Sequence, residues 1–475
     1  MLTYLAEEVI SPMLMQQTRG TEGSLFNRSL SRLKELWNSF PLLAEDADGE
    51  VPSNVDLEGS NLDVLRDEIR YCLNKSVGEM ATRKQAVLVA RQYLELSELG
   101  KQRFLTLLAE DFDLDYEQVK ATIDQWQPDP VSTNKLRAAL ESPRLTLLRQ
   151  FNELPDGIKF LVNMRADLLG IKDKSPALQG LQQEMKQLLH AWFDLGFLQL
   201  EKITWDSPTS LLEKLIEYEA VHAINGWSDL KNRLASDRCC YAFFHPQMPD
   251  EPLIFIEVAL TQGLAGEMAP LLDEDAPLLD TNTADTAIFY SISNTQRGLA
   301  GISFGNFLIK NVVAQLLKEF PHLTQFSTLS PIPGFNKWLT ANPDKALNML
   351  EEEQRQELKA HCEELGVAAN LSALLASEWQ SNSEVSDWLE APTKQLINHY
   401  LVDEKRGKGA LDPVANFHLS NGSKAACLNW RANMSKRGIK ESASVMINYV
   451  YELDKIEGNC VAYVEKGTVA NDLKT

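Results

Sequence analysis

The run Arg297-Gly298-Leu299-Ala300-Gly301-Ile302-Ser303-Phe304-Gly305-Asn306 stands between a β-rich segment and an amphipathic one, and in that place its glycines can do chemistry. Residues 286–293, rich in aromatic and β-branched side chains, read as a strand. Phe307, Leu308, Val312, Leu316 and Phe320 follow at helical spacing. Strand, glycine turn and helix N-terminus in succession present unpaired backbone N–H groups and the positive end of a helix dipole, which suits an anion and most often a phosphate. The turn lacks the Gly-Lys-Ser/Thr of a Walker loop and does not match a dinucleotide fingerprint. Glycines that only turn the chain are the plain alternative. Two further side chains have useful chemistry. Ser330 is a hydroxyl where a β-rich run meets the rigid turn Pro331-Ile332-Pro333-Gly334, and His418 in Asn416-Phe417-His418-Leu419 is an imidazole, whose ordinary pKa suits proton transfer near neutrality. Taken singly, a serine before Pro-x-Pro reads first as a turn hydroxyl, and a histidine after Asn-Phe first as a structural ring.

The elements that must position these groups differ between the two parts of the chain. Up to about residue 200 the periodicity is helical. Asn61 is placed to cap a helix with the stripe Leu62, Leu65, Ile69 and Leu73, and Ser142-Pro143 has the cap-then-proline form of a helix start. Further stripes are Phe160, Met164 and Leu168, then Leu181, Met185, Leu188, Leu189 and Trp192. The acidic stretch 45–59 reads as a mobile loop. After Thr204 and Trp205 the pattern changes: residues 238–244 and 253–260 form a hairpin-like pair of strands, and residues 323–330 a further strand. Residues 342–402 return to helix, with a break at Gly366. The fold class expected is α+β: an all-helical N-terminal bundle over 1–199, followed by a mixed α/β domain over 200–475.

Composition narrows the function. Lys and Arg total 46 against 67 Asp and Glu, a formal net charge of −21, so the overall field repels nucleic acid and anionic membrane. No run of 18 apolar residues is present, and the start has acids where a signal or transit peptide has basic residues, which points to a cytoplasmic protein. The six cysteines make no Cys-x-x-Cys pair and no two histidines stand at zincin spacing, so no metal site is expected and the thiols read as buried and reduced. His190, His222, His245, His322, His361 and His399 have no comparable motif around them and read as surface or core histidines.

From Ala300 the turn resembles the acyl-CoA loop of the GNAT acyltransferase superfamily, Arg/Gln-Gly-x-Gly-x-Gly/Ala, with Ala300 in place of Arg/Gln and Ser303 in place of the middle glycine. The wider chain resembles the malonyl-CoA decarboxylase family more specifically. The resemblance rests on residues 285–301, Phe304-Gly305-Asn306-Phe307-Leu308-Ile309-Lys310, Glu319-Phe320-Pro321-His322-Leu323, the run from Leu329 to Phe335 with Lys337-Trp338-Leu339, and residues 416–422. Glu219-Ala220-Val221-His222, Gly438 and Asn448-Tyr449 belong to it too.

That resemblance implies a helical oligomerisation domain and a GNAT-like catalytic domain, assembled as a dimer or tetramer. It implies a Ser/His pair at Ser330 and His418, and a cradle for the CoA phosphates at Ala300, Gly301, Ile302, Ser303, Phe304, Gly305 and Asn306. Ser291 and Tyr451 match positions lining the family's malonyl pocket, and Ser303 stands where some relatives carry an acid. Arg297 and Lys310 flank the cradle. The implied reaction turns malonyl-CoA into acetyl-CoA and CO2 through an enolate, with no cofactor beyond the CoA of the substrate. A GNAT-type acyl-CoA N-acyltransferase is the competing expectation, and a helical scaffold with a vestigial catalytic domain is a third.

Overall fold

A computed structural model describes Leu33, residues 55–302 and residues 307–473. Among the described residues the first part holds α1 (Ser60–Cys72), α2 (Glu79–Glu95), α3 (Glu98–Asp111), α4 (Tyr116–Asp124), α5 (Pro130–Ala139), α6 (Pro143–Asn152), α7 (Gly157–Gly170) and α8 (Pro176–Trp192). Local signals account for most of their starts. The Ser97, Asp115, Asp129 and Ser175 side chains accept from backbone N–H groups of α3, α4, α5 and α8, and prolines open α5, α6 and α8 where a missing N–H costs nothing. The expected cap at Asn61 is displaced: α1 starts at Ser60 behind Gly59, whose φ of +56° is open to glycine, and Asn61 lies inside the helix. Most of the acidic stretch 45–59 lies outside the described residues, but Leu57 within it is fully buried.

The helix α7 is buried almost all round, Lys159 and Arg165 included. Phe160 meets Tyr93 and Phe151 edge-on at 5.6 and 5.4 Å on the bundle side. Its other side closes on the turn Arg297–Leu299 that follows the fourth strand of the sheet. The same hydrophobic core continues from Phe160, Leu161 and Val162 through Tyr241, Phe289 and Phe326 to Val312 and Leu316, so the helical part and the sheet are not separate bodies. Each such large apolar side chain contributes about 1.5–3 kcal/mol when fully buried.

The strands are β1 (Gln199–Ile203), β2 (Arg238–Phe244), β3 (Ile254–Thr261), β4 (Thr286–Asn294), β5 (Gln325–Thr328), β6 (Ser330–Pro331), the small pair β7 (Lys405–Arg406) and β8 (Gly409–Ala410), β9 (Lys424–Asn429) and β10 (Met446–Val450). The main sheet runs β1-β2-β3-β4-β5-β10-β6, with β9 also paired to β10. Among these described strands only β4 and β5 pair in parallel, sharing a ladder from Thr286↔Gln325 to Phe289↔Thr328. Beyond Phe289, β4 continues along β3 alone, whereas β6 continues along β10. A bulge at that point sets Glu257 opposite Ser291 and Val258 opposite Phe289, leaving Tyr290 as the extra residue. The two strands therefore part where the ladder ends. The sheet is mixed, as expected of the second part of the chain.

Helices α9 (Thr209–Tyr218), α10 (Trp227–Arg233), α11 (Ala269–Leu272) and α12 (Phe307–Glu319) are interleaved with β1 to β5. Leu308, Ile309, Val312, Val313 and Leu316 bury the predicted face of α12. Between β6 and β7 lie α13 (Phe335–Ala341), α14 (Pro343–Met349), α15 (Glu352–Glu364), α16 (Leu371–Leu375) and α17 (Ser383–Val402), with the break at Gly366 in a left-handed conformation as its sequence suggested. The last helices are α18 (Pro413–Ser420), α19 (Lys436–Ser442) and α20 (Ile456–Lys466).

Two expectations need correction. The sheet starts at Gln199, ahead of Thr204, because β1 is an edge strand with one buried side chain, Ile203, and so carries no apolar alternation. The thiols are free, but Cys427 is exposed and Cys460 half-buried.

Candidate active site

Ser330 opens β6, where its backbone pairs with Ile447 of β10. The following turn is held to α18 by one carboxylate. Asp412 caps that helix by accepting from the N–H groups of Val414 and Ala415 at 3.0 Å each, and also accepts from the Tyr400 hydroxyl at 3.3 Å and the Gly334 N–H at 3.4 Å. A Cβ on Gly334 would fall 2.1 Å from the Tyr400 oxygen, so any larger residue here would displace the Tyr400 ring and its bond to Asp412. Burial pushes the Asp412 carboxyl up to about 6, against the pull of those donors.

The arrangement delivers His418, on the last turn of α18, to Ser330. Its Nε2 lies 3.1 Å from Ser330 Oγ, and its Nδ1 lies 2.8 Å from the Tyr451 hydroxyl. Ser330 donates to Thr328 Oγ1 at 2.8 Å. All the partners are satisfied when Tyr451 donates to His418, His418 to Ser330, and Ser330 to Thr328. Ser330, His418 and Tyr451 are each no more than 5% exposed, and the imidazole stacks on Tyr449 at 4.7 Å. Burial pushes His418 down to about 3 and the Tyr451 phenol well above its ordinary range. The chain is thus neutral near pH 7. It can pass hydrogen bonds and a proton, and it presents no fixed cation.

Ser291 is anchored elsewhere. Its hydroxyl donates to both oxygens of Glu219 at 2.8 and 2.9 Å, and Ser293 donates to the same carboxylate at 3.0 Å. The Val221 and His222 N–H groups complete the cage at 2.8 and 2.7 Å. Next to it Arg233 binds Asp229 at 2.7 Å and Glu257 at 3.0 Å. Burial first, and Glu219 next, push the Glu257 carboxyl up to about 8. Tyr451 is therefore joined to the Ser/His pair, and Ser291 to a buried acid cluster beside the β4 bulge. Glu219 carried no role in the sequence reading, although it opens one of the motifs that signalled the family. Asp412 and Thr328 had no such signal.

The glycine turn leaves the end of β4 through one 3-10 turn, Arg297–Leu299. Ala300 and Gly301 are half-buried, Gly301 with φ +74°, and Ile302 is buried. Ser303, Phe304, Gly305 and Asn306 lie outside the described residues. A cavity of about 840 Å³ lies along the seam between this turn and α7, reaching Lys159, Val162, Gln296, Gly298 and Glu219. It does not include Ser330 or His418.

Comparison with known proteins agrees with this architecture. Residues 196–474 match the family description "Malonyl-CoA decarboxylase C-terminal domain" and residues 112–193 match "Malonyl-CoA decarboxylase N-terminal domain". The mitochondrial malonyl-CoA decarboxylase of Rattus norvegicus is 40% identical over 347 residues, 70% of each chain, and that of Anser anser anser 38% identical over 409 residues, 81% of each. Among solved structures, a malonyl-CoA decarboxylase from Rhodopseudomonas palustris superposes with a TM-score of 0.78 at 39% identity, covering 86% of this chain and 98% of that one. One from Agrobacterium vitis gives 0.77 at 36% identity, with the same coverage. With the two family descriptions matched in order along the chain, the longer over residues 196–474 with Ser330 and His418 inside it, the protein belongs to the malonyl-CoA decarboxylase family.

Proposed function

We propose that the protein decarboxylates malonyl-CoA to acetyl-CoA, with Ser330 and His418 at the reacting end of the substrate. The observation that carries this reading is the buried Tyr451–His418–Ser330 chain beside the gap where β4 and β6 part. The bond between C2 and the carboxylate carbon breaks, CO2 leaves, and the electron pair moves into the thioester as an enolate. One proton taken up at C2 completes acetyl-CoA. In this reading backbone N–H groups of β4 past the bulge face the thioester oxygen, and stabilising that developing oxyanion is the largest demand of the step. Ser330 and His418 orient the malonyl carboxylate by hydrogen bonds and deliver to C2 a proton that is replaced from water, with Tyr451 behind the imidazole. Neutral donors hold a carboxylate without the ionic stabilisation that would oppose its loss as CO2.

The reaction requires no metal and no cofactor beyond the substrate's own CoA, because the thioester itself accepts the electron pair. Incubation of the purified, chelator-treated protein with malonyl-CoA alone tests this: stoichiometric acetyl-CoA and CO2 are expected. Product only when an amine acceptor is added would mean an N-acyltransferase instead. The remaining parts of the proposal are a helical oligomerisation domain over 1–199, a catalytic domain over 200–475, a dimer or tetramer, and a cytoplasmic setting; no helix among the described residues is long and apolar enough to cross a membrane. Sedimentation and cell fractionation test these.

A further inference from the structure

One face of α7 carries Lys159, Val162 and Arg165 at successive spacings of three, and all three close on the turn that leads into the acyl-CoA loop. Lys159 Nζ donates to the Gln296 side chain at 2.8 Å and pairs with Glu251 at 3.3 Å. The Val162 carbonyl sits where a Cβ on Gly298 would be, 1.8 Å away, so Gly298 exists to let the helix backbone touch the turn. Arg165 Nη1 donates to the carbonyls of Gly298 and Ala300 at 2.5 and 2.9 Å, and the side chain is fully buried. In a planar trans peptide the N–H points opposite to the C=O. Drawing the Ala300 carbonyl toward Arg165 therefore turns the Gly301 N–H away from α7, free of that carbonyl's partner.

We infer that Arg165 is a positioning residue for substrate: from the helical part of the chain it fixes the path of residues 298–301, and places a permanent cation behind a loop that must hold a polyanion in a protein of net charge −21. The inference rests on the acyl-CoA reading of that loop. It makes the helical part a component of the substrate site as well as of any assembly.

The test uses the full-length protein as Arg165→Met, Arg165→Lys and Leu168→Ala, the last a buried apolar position on the same helix with no polar group to offer the turn. Thermal unfolding, KM and kcat with malonyl-CoA, and calorimetric Kd for CoA are measured on each. Loss of a charge-assisted pair of bonds predicts that Arg165→Met raises KM and the CoA Kd about tenfold or more with kcat nearly unchanged. Arg165→Lys should recover part of that loss, and Leu168→Ala should lower the melting temperature with KM and Kd unchanged. If Arg165→Met lowers the melting temperature like Leu168→Ala and leaves KM and Kd within twofold of wild type, the inference is wrong. Wild-type protein that binds CoA but does not decarboxylate malonyl-CoA would refute the proposed reaction alone, because the CoA titration still reads Arg165. Wild-type protein that does not bind CoA would refute both.

Discussion

The Tyr451 hydroxyl stands 2.8 Å from His418 Nδ1, on the side of the ring opposite Ser330. With the Ser330 hydrogen given to Thr328, the tautomer that fits has Nε2–H donating to the serine and Nδ1 accepting from Tyr451. Tyr451→Phe removes that contact and frees the ring to adopt the other tautomer. We expect kcat to fall about tenfold or more with KM little changed, since a misdirected imidazole costs the proton step more than it costs binding. Steady-state kinetics decide it, and an undiminished kcat would detach Tyr451 from the chemistry.

Ser330→Ala and His418→Ala should each lower kcat by about 10²- to 10⁴-fold while the protein stays folded. Because the two act as one unit, the double variant should be little worse than the poorer single one. Multiplicative losses in the double variant would show that the serine and histidine work independently.

The buried titratable groups set the pH limits of stability. His418 and His222 are both pushed down to about 3 from an ordinary 6.5, burial being the larger cause in each. The unfolded chain then binds more protons than the folded one between those values, so their contribution is complete above pH 6.5 and lost as the pH falls toward 3. Asp412 and Glu257 act in the other direction. Their folded values are raised to about 6 and about 8, so their contribution is complete below the ordinary carboxyl range and lost as the pH rises through those values. Melting temperatures of wild type and Glu257→Gln from pH 4 to 9 check the sign: the variant should gain on wild type as the pH climbs from 5 to 8. A constant difference across that range would mean Glu257 is ionised throughout in the folded protein.

Glu219 gathers two hydroxyls and two backbone N–H groups. Glu219→Gln keeps the shape but offers an amide NH2 where one oxygen had accepted, so at least one buried donor loses its acceptor. A loss of about 1–3 kcal/mol in unfolding free energy is expected. Since Ser291 shares that carboxylate, Ser291→Ala should cost less in the Glu219→Gln background than in wild type. Denaturant titration of the four proteins forms the cycle, and strict additivity would place Ser291 outside the cluster.

Much of the fold follows from short stretches of sequence. Ser142-Pro143 starts α6, residues 238–244 form β2 over the whole stretch expected, and the Leu308, Val312 and Leu316 stripe buries the face of α12. These are preferences of a few neighbouring residues for one backbone geometry, and they act before the rest of the chain is in place. The same holds for the glycine-bearing turn and for the family motifs, which name Ser330 and His418 without saying how they meet. Tertiary structure decided the rest. It brings together Ser330 and His418, 88 residues apart, His418 and Tyr451, 33 apart, and Ser291 and Glu219, 72 apart. It also made the imidazole neutral by removing it from water, where its type alone suggested a group titrating near pH 7. The strand β1 went unread because an edge with one buried side chain leaves no periodic trace. Pairing across distant segments and desolvation depend on what packs against a residue, and Arg165, one of two buried cations in its helix, could be linked to Gly298 and Ala300 only once the bundle lay against the turn after β4.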